Sequence, residues 1–455
     1  MKIAPAIIAS LLPIACLAAH PAPIGSAQPS LLDDYIYGYA PVAVAAVRSL
    51  MTAVPDATSS PGRAPINQLA RVKRLATPAA RRVPRPNADT LFTLAWLDLS
   101  NEPIILHVPA MADRYYLIPL YDAYSNEFAS IGSRTTGNGE GDFALAGPAW
   151  NLPPPAGLRI VRAPTNTVWL IGRTLVRGQS DLPAAIALAD RYQLIPLSAY
   201  SQFLATGNYS PPTNVPATPL NPDFVAAPIT RSPGFFKPEF FDALAMIASQ
   251  NPPPAAVAPQ ADALVRHGLA RKDELTPALI AEATSAMVHD MKARRTQQNG
   301  WSVDLTAGDY GSDYLHRAAI ARFGLGANIA ADAIYPSTAI DGAGEPLVGA
   351  KNYVIHFPPG ATPPVRGFWS LTVYDRDGFL VANPINRYTV GSETGLVRNP
   401  DGSLDILLQN TAPKTLATNW LPTPLAPFNL TLRLYWPDQS VLDGKYVPPP
   451  VEPAP

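Results

Sequence analysis

The sequence predicts a mainly β protein with helical insertions, in which two antiparallel, strand-rich, jelly-roll-like sandwich domains are linked by a helical segment. Short apolar runs recur at near-regular spacing between residues 90 and 173 and again between 353 and 436, separated by turn signals rather than helices. The stretch 238–325 is different in kind, with apolar residues at helical spacing and start signals such as Thr276-Pro277. The 53 prolines and 29 glycines among 455 residues favour turns and rigid connections, while 47% hydrophobic against 15% charged residues is enough for buried cores. At roughly 150 residues per domain the chain divides into two or three, and we set the units at 28–235, 236–330 and 331–455.

Residues 1–27 have the layout of a signal peptide: Lys2, an apolar run from Ile3 to Ala19, then the small residues Gly25-Ser26-Ala27. The run is too short, and too interrupted by Pro5 and Pro13, for a membrane span, and no later stretch approaches the roughly 20 apolar residues that one needs. We therefore expect a periplasmic or secreted protein without a membrane span. The one cysteine, Cys16, lies in this segment, where Pro13-Ile14-Ala15-Cys16 resembles a lipoprotein acylation site with Pro in place of the usual Leu. Removal of the segment leaves no thiol, and with it no disulfide, Cys-ligated zinc or thiol catalysis.

Next, Leu31 to Val54 has helical periodicity with Asp33-Asp34 in the first turn and Pro41 as a kink. The stretch 55–86 reads as a loop with short structure inside it. Strands are expected at Leu91–Leu99, Ile104–Val108, Tyr115–Tyr121, Phe143–Gly147, Arg159–Arg162 and Thr167–Arg173. Ser180-Asp181-Leu182-Pro183 starts a helix over Ala184–Gln193, and 196–233 is a long connection. Four helices follow, one opening at Pro238, one over Ala255–Leu269, one from Thr276-Pro277 toward Gln298, and one over Tyr310–Phe323. Strands return at Tyr353–Phe357, Phe368–Asp375, Phe379–Ala382, Leu404–Gln409 and Phe428–Trp436, with glycine-ended reversals at Asp375–Gly378 and Asn399–Gly402 that suggest hairpins. Pro448-Pro449-Pro450 suits an extended strap.

A net charge of −1 argues against nucleic acid or an anionic membrane as partner, because both need a basic face. The basic cluster Arg71, Lys73, Arg74, Arg81, Arg82 and Arg85 is the exception, read either as a solvated loop or as an anion or partner site. Function is sought in two polar, aromatic blocks, Arg85–Phe92 with Arg114-Tyr115-Tyr116, and Asn383–Tyr388 with Asn419–Pro422. Asp89, between Asn87 and Thr90 and near Arg85, is the candidate base; local capping of a turn by the same residue types is the plainer reading. Tyr115, Asp122 and Arg134 add a phenol, a carboxylate and a guanidinium, with Arg134–Gly137 resembling an anion-holding turn or a structural ion pair. Strand alternation puts Tyr115 and Tyr116 on opposite faces. In the second block Asn386, Arg387 and Tyr388 suit a carboxylate or sugar hydroxyls, with Trp369 or Trp420 as a stacking wall or as ordinary core.

No two histidines have ligand spacing and no calcium loop is complete, so no metal is expected. There is no G-x-S-x-G elbow, phosphate loop or dinucleotide fingerprint, so we expect no cofactor and no conventional serine hydrolase. The leading expectation is a hydrolase of small esters or related acyl compounds, with Asp89 activating water and Arg85 and Arg134 stabilising charge. The rivals are a non-catalytic binding protein for a carbohydrate or small acid, and an envelope structural protein forming homo-oligomers.

Several segments resemble a known family. Tyr35–Tyr39, Asn67-Gln68, Arg85–Thr90, Arg114–Tyr116 and Gly137–Trp150 are similar to the domain of unknown function 1254. Tyr335–Thr338, Phe368–Thr372, Asn383–Tyr388, Asp401–Leu404 and Asn419–Pro422 are similar to its usual partner, 1214. The resemblance covers nearly the whole mature chain. It implies two jelly-roll-like sandwiches joined by helices, export from bacteria, and a lipase-like or esterase-like activity suggested for some members. Two positions depart from the commoner pattern, Leu69 in place of an aromatic and Pro119 in place of a Gln, and the second puts a shared substrate in doubt if that Gln lines the site.

Overall fold

The computed structural model describes residues 29–454 except 154, 156, 214, 216–219, 225–231 and 254–256. The signal-peptide reading and Cys16 lie outside the described residues. The N-terminal unit holds β1 (Ala70–Val72), β2 (Thr90–Asp98), β3 (Ile104–Val108), β4 (Tyr116–Tyr121), β5 (Glu127–Gly132), β6 (Gly141–Ala146), β7 (Arg159–Arg162), β8 (Thr167–Leu175) and β9 (Gln193–Pro196). They form two sheets in the orders β1-β2-β8-β4-β5 and β7-β6-β3-β9. Period-two alternation sorts the first sheet cleanly. Its Leu91, Ala95, Leu97, Val168, Leu170, Tyr116, Ile118 and Leu120 bury against Ile104, Leu106, Phe143 and Leu145 of the second.

Two of these strands, β5 and β9, depart from the sequence expectation. Glu127–Gly132 mixes polar and apolar residues too evenly to stand out as a strand, and Gln193–Pro196 falls between the expected end of a helix at Gln193, which in fact stops at Ala189, and the expected connection from 196. Asp181 does not cap that helix with its side chain; its carboxylate instead takes both terminal nitrogens of Arg114, at 2.5 and 2.6 Å.

The helical layer begins with α1 (Leu31–Thr52), which opens on a capping box between Ser30 and Asp33 and contains Pro41. After the short α2 (Leu182–Ala189) and α3 (Tyr200–Thr206) come α4 (Glu239–Gln250), α5 (Ala258–Ala270), α6 (Pro277–Ala293) and α7 (Tyr314–Gly324). The apolar face of α1 buries Tyr35, Tyr39, Ala40, Val42 and Ala43 in one core with Phe240, Leu244, Leu264, Ile280, Met287 and Ala318 from α4 to α7. The N-terminal helix thus belongs in space to the central helical segment. The sequence reading also ran the third of these helices too far. Asn299 and Gly300 both take positive φ, 52° and 80°, and turn a hairpin of β10 (Thr296–Gln298) onto β11 (Trp301–Val303).

The remaining strands are β12 (Ala333–Ile334), β13 (Ser337–Thr338), β14 (Tyr353–Phe357), β15 (Trp369–Asp375), β16 (Thr389–Gly391), β17 (Leu404–Gln409), β18 (Trp420–Pro422), β19 (Phe428–Tyr435) and β20 (Glu452–Pro453), with α8 (Gln439–Leu442) between the last two. Their sheets run β10-β11-β13-β19-β15-β16, with β12 also on β19, and β18-β17-β14-β20. Pairing is antiparallel apart from β6 with β7 and β17 with β18. Gly378 and Gly402 take the positive φ expected of them, 85° and 86°; the first lies in the long connection between the paired β15 and β16, and the second joins β16 to β17, which do not pair. Phe379–Ala382 stays a loop because its first amide turns back onto Asp375, with Phe379 N donating to Oδ1 at 2.8 Å. The proline strap is fixed by Trp301 Nε1 donating to Pro449 O at 2.7 Å and by β20 pairing with β14.

Candidate functional site

The face of β15 and β19 that points away from the C-terminal core is polar and nevertheless buried. Trp369, Leu371, Val373, Leu430, Leu432 and Leu434 fill the core. The alternate positions Ser370, Thr372, Tyr374, Thr431, Arg433 and Tyr435 are each at most 3% exposed. What covers them is the N-terminal unit. Its β2, β8 and β4 present Phe92, Arg173, Leu117 and Tyr121 by the same alternation, and the Arg85–Thr90 segment runs along the seam.

The first sequence block is built into this seam. Asn87 Oδ1 accepts from Asp89 N at 2.6 Å and Thr90 N at 3.0 Å, an Asx turn that starts β2, while its Nδ2 donates to the Tyr435 hydroxyl at 2.6 Å. Asp89, 6% exposed, accepts from Ser370 Oγ at 2.6 Å and Thr389 Oγ1 at 2.9 Å. Arg85 takes a positive φ of 55° and sends its guanidinium to the Thr431 hydroxyl. Burial lowers its pKa from the ordinary value, and Arg433 and Arg295 push the same way. Arg433 donates to Thr372 Oγ1 at 2.7 Å, to Arg85 O at 3.1 Å and to the Tyr374 hydroxyl, and Tyr374 donates in turn to Pro86 O at 2.8 Å.

The second block meets the first only at its C-terminal end. Tyr388 packs against Ala88, Tyr374 and Leu380, and Thr389 reaches Asp89. Asn386 and Arg387 do something else. Asn386, at φ 50°, accepts from the Tyr388 hydroxyl at 3.0 Å, and Arg387 ties the loop to Ala417 O and Trp420 O at 2.7 and 2.9 Å. Trp369 packs on Phe357 in the core, and Trp420 is buried with its Nε1 on Gln409 O at 2.8 Å, so neither is a stacking wall. Asp122 caps its own turn, taking the amides of Tyr124 and Asn126, both at 2.9 Å. The basic cluster disperses: Arg71 and Lys73 pair with Asp190, and Arg81 with Asp375.

On the other side of the seam Arg134 Nε donates to Asp332 Oδ1 at 2.6 Å, the structural ion pair that was the alternative to an anion-holding turn. Asp332 is fully buried and faces Glu127, 5% exposed, whose Oε2 accepts from Ile329 N at 2.9 Å and Asn328 Nδ2 at 3.3 Å. Glu127 Oε1 and Asp332 Oδ2 have no other donor, and one proton between them satisfies both. Burial, then the hydrogen bond and negative charge of Asp332, push the Glu127 carboxyl up to about 9. Burial pushes Asp332 up too, but the hydrogen bonds from Arg134 and Glu127 bring it below the usual carboxylate range. Tyr115 lies beside this pair between Phe368 and Tyr435, its hydroxyl unpartnered and its pKa raised by burial; Tyr116 sits in the opposite core. A cleft of about 240 Å³ lies beside Tyr115, lined by Leu175 and Arg177 of one unit and Arg366, Gly367, Glu393 and Trp436 of the other, with Arg177 and Glu393 paired at 3.0 Å; Arg173, Arg433 and Asp89 do not line it.

Arg173, Arg433, Tyr435, Glu127 and Asp332 were all missed by the sequence reading. One signal was present: Arg173 and Arg433 are the single charges of their strands. Pro119 falls on the seam side of β4, between Leu117 and Tyr121, so the departure from the family pattern lies in the wall of the site. Among the described residues no three His, Cys, Asp or Glu side chains converge to hold a metal, and no helix is long and apolar enough to cross a membrane.

Residues 66–196 match the family described as Protein of unknown function (DUF1254), and residues 332–439 match Protein of unknown function (DUF1214). Both walls of the seam lie inside these segments. None of the curated proteins matches the chain. Among solved structures it is similar to the VPA0106 protein from Vibrio parahaemolyticus, at 25% identity and a TM-score of 0.63, over 93% of this chain and 99% of that one. An uncharacterised protein from Burkholderia cenocepacia matches at 14% identity and a TM-score of 0.43, over 92% and 87% of the two chains.

Proposed function

We propose that this chain, which belongs to the family joining DUF1254 to DUF1214, captures a small organic molecule in the recess between its two strand-rich units. The observation that carries the reading is the buried polar face of β15 and β19. A sheet face covered by another protein layer is ordinarily apolar, because each enclosed polar group costs free energy unless it is bonded. Here Ser, Thr, Tyr and Arg side chains are enclosed from both units, the donor-rich lining that fixes the orientation of a ligand. Isothermal titration with small carboxylates, esters and monosaccharides, beside Asn87→Ala, tests the reading. Saturable binding that weakens in the variant supports it, and absence of binding by a folded protein rejects it.

Hydrolysis of a small ester or related acyl compound is the second reading. It is favoured by the neutral Glu127 next to the ionised Asp332, since carboxyls with pKa values pushed apart can divide acid and base roles. Asp89, the base expected from the sequence, has each oxygen on a hydroxyl donor and supports the binding reading better. Turnover of short-chain esters that is lost in Glu127→Gln at unchanged melting temperature favours an enzyme. We also propose export, on the layout of residues 1–27; a mature N-terminus near residue 28 in the periplasm or medium tests it.

A further inference from the structure

We infer that the captured molecule is a small carboxylate with an apolar or aromatic body, and that Arg173 receives its carboxylate. The inference rests on the binding reading above and assigns the charge and shape of the ligand.

Arg173 stands at the centre of β8, paired in register with Phe92 on one side and Leu117 on the other. It is 8% exposed, donates one hydrogen bond, to its neighbour Ile171 O at 3.2 Å, and has no carboxylate within ion-pair distance among the described residues. Its guanidinium lies over the Phe92 ring at 5.5 Å from the centroid, with Tyr335, Tyr121 and Tyr435 around it. A guanidinium offers five donors, so most of its capacity is unused. Phe92 and Tyr335 beside it are only partly buried.

The surrounding charges point the same way. Arg85, Arg134, Arg173 and Arg433 are four guanidiniums facing two formal carboxylates, Asp89 and Asp332, because Glu127 holds a proton; the wall carries a net charge of +2. Arg134 already pairs with Asp332, and Arg433 is taken up by Thr372, Tyr374 and Arg85 O. Arg173 is left as the free fork. Two further uncommitted donors are the unpartnered Tyr115 hydroxyl and Tyr435, whose hydroxyl accepts from Asn87 and keeps its own proton. A carboxylate matches a planar fork bidentately, and the aromatic wall suits an apolar body behind it.

The test uses the mature protein with benzoate and phenylacetate, each beside its neutral amide, and with phenyl phosphate. The expected result is a melting-temperature rise of about 3 °C at 100-fold excess over Kd for the acids and none for the amides. Arg173→Met should weaken the acids by roughly 30-fold or more, with Arg173→Lys in between. Both variants carry a near-UV circular dichroism control for folding. Equal binding of acid and amide, tighter binding of phenyl phosphate, or unchanged affinity in folded Arg173→Met overturns the assignment of charge. If amides or monosaccharides bind and lose affinity in Asn87→Ala, the binding reading survives that failure. If no probe binds the wild-type protein, both fall together.

Discussion

Replacement of Glu127 by Gln tests whether one proton is locked between Glu127 and Asp332. The amide oxygen can still accept from Ile329 N and Asn328 Nδ2, and the amide nitrogen can still donate toward Asp332, so packing is preserved. In the wild-type protein the folded-state pKa of Glu127, about 9, lies above its ordinary 4.5. The folded state therefore binds the extra proton, and its contribution to stability is complete below pH 4.5 and is lost as pH rises toward 9. One proton corresponds to a loss of roughly 3 kcal/mol between pH ~6 and pH ~8. Asp332 is shifted downward and titrates below this window, and the other titrating groups are shared by both proteins. Urea midpoints at the two pH values should show the wild type losing that much relative to Glu127→Gln. Parallel pH dependence in the two proteins would mean that Glu127 is ionised in the fold and that no proton is shared.

Three further outcomes follow from the contacts. Asn87→Ala removes two amide partners at the start of β2 and the Tyr435 contact, and should cost about 1–3 kcal/mol by urea denaturation. Trp369→Ala should cost about 3–5 kcal/mol yet leave ligand affinity unchanged, because the ring lies in the C-terminal core. Asp290→Ala removes a carboxylate shared by buried His316 and partly exposed Arg294, which keeps Asp313, and should destabilise by about 1–3 kcal/mol, again read from urea midpoints.

The fold was legible where local chemistry decides it. Ile104–Val108, Tyr353–Phe357 and Leu404–Gln409 end where their apolar alternation ends. The polar β5 was invisible because its burial comes from packing against residues some 200 positions away, as when Glu127 meets Ile329. The Asn299-Gly300 hairpin carried a legible signal, overridden in the reading by the helical run before it. Of the candidate site, the first block lies in the seam between the units, and Tyr115 and Tyr116 do divide between opposite faces. Only the C-terminal end of the second block reaches the seam, which was not legible beforehand, since loop residues such as Arg387 look the same in sequence whether they face a partner unit or bind their own backbone. Arg173 was missed although it is the single charge of its strand, because a lone charge there does not by itself separate an inward-facing arginine from one at a strand edge.

The docking of α1 onto α4 to α7 bears on how the molecule can assemble. The sheets of the N-terminal unit draw on residues 70–196 and can close as soon as that stretch is available. Tyr35 must wait much longer, since its hydroxyl bonds to Phe235 O and its ring meets Phe240. Tyr37 waits longer still, for Tyr314. The chain therefore carries an uncovered aromatic helix at its front until the α7 residues arrive, a long-range closure that is slow to form and exposed to misassembly meanwhile. Trimming that helix away would remove no loose tail; it would leave the apolar faces of four other helices without their central partner.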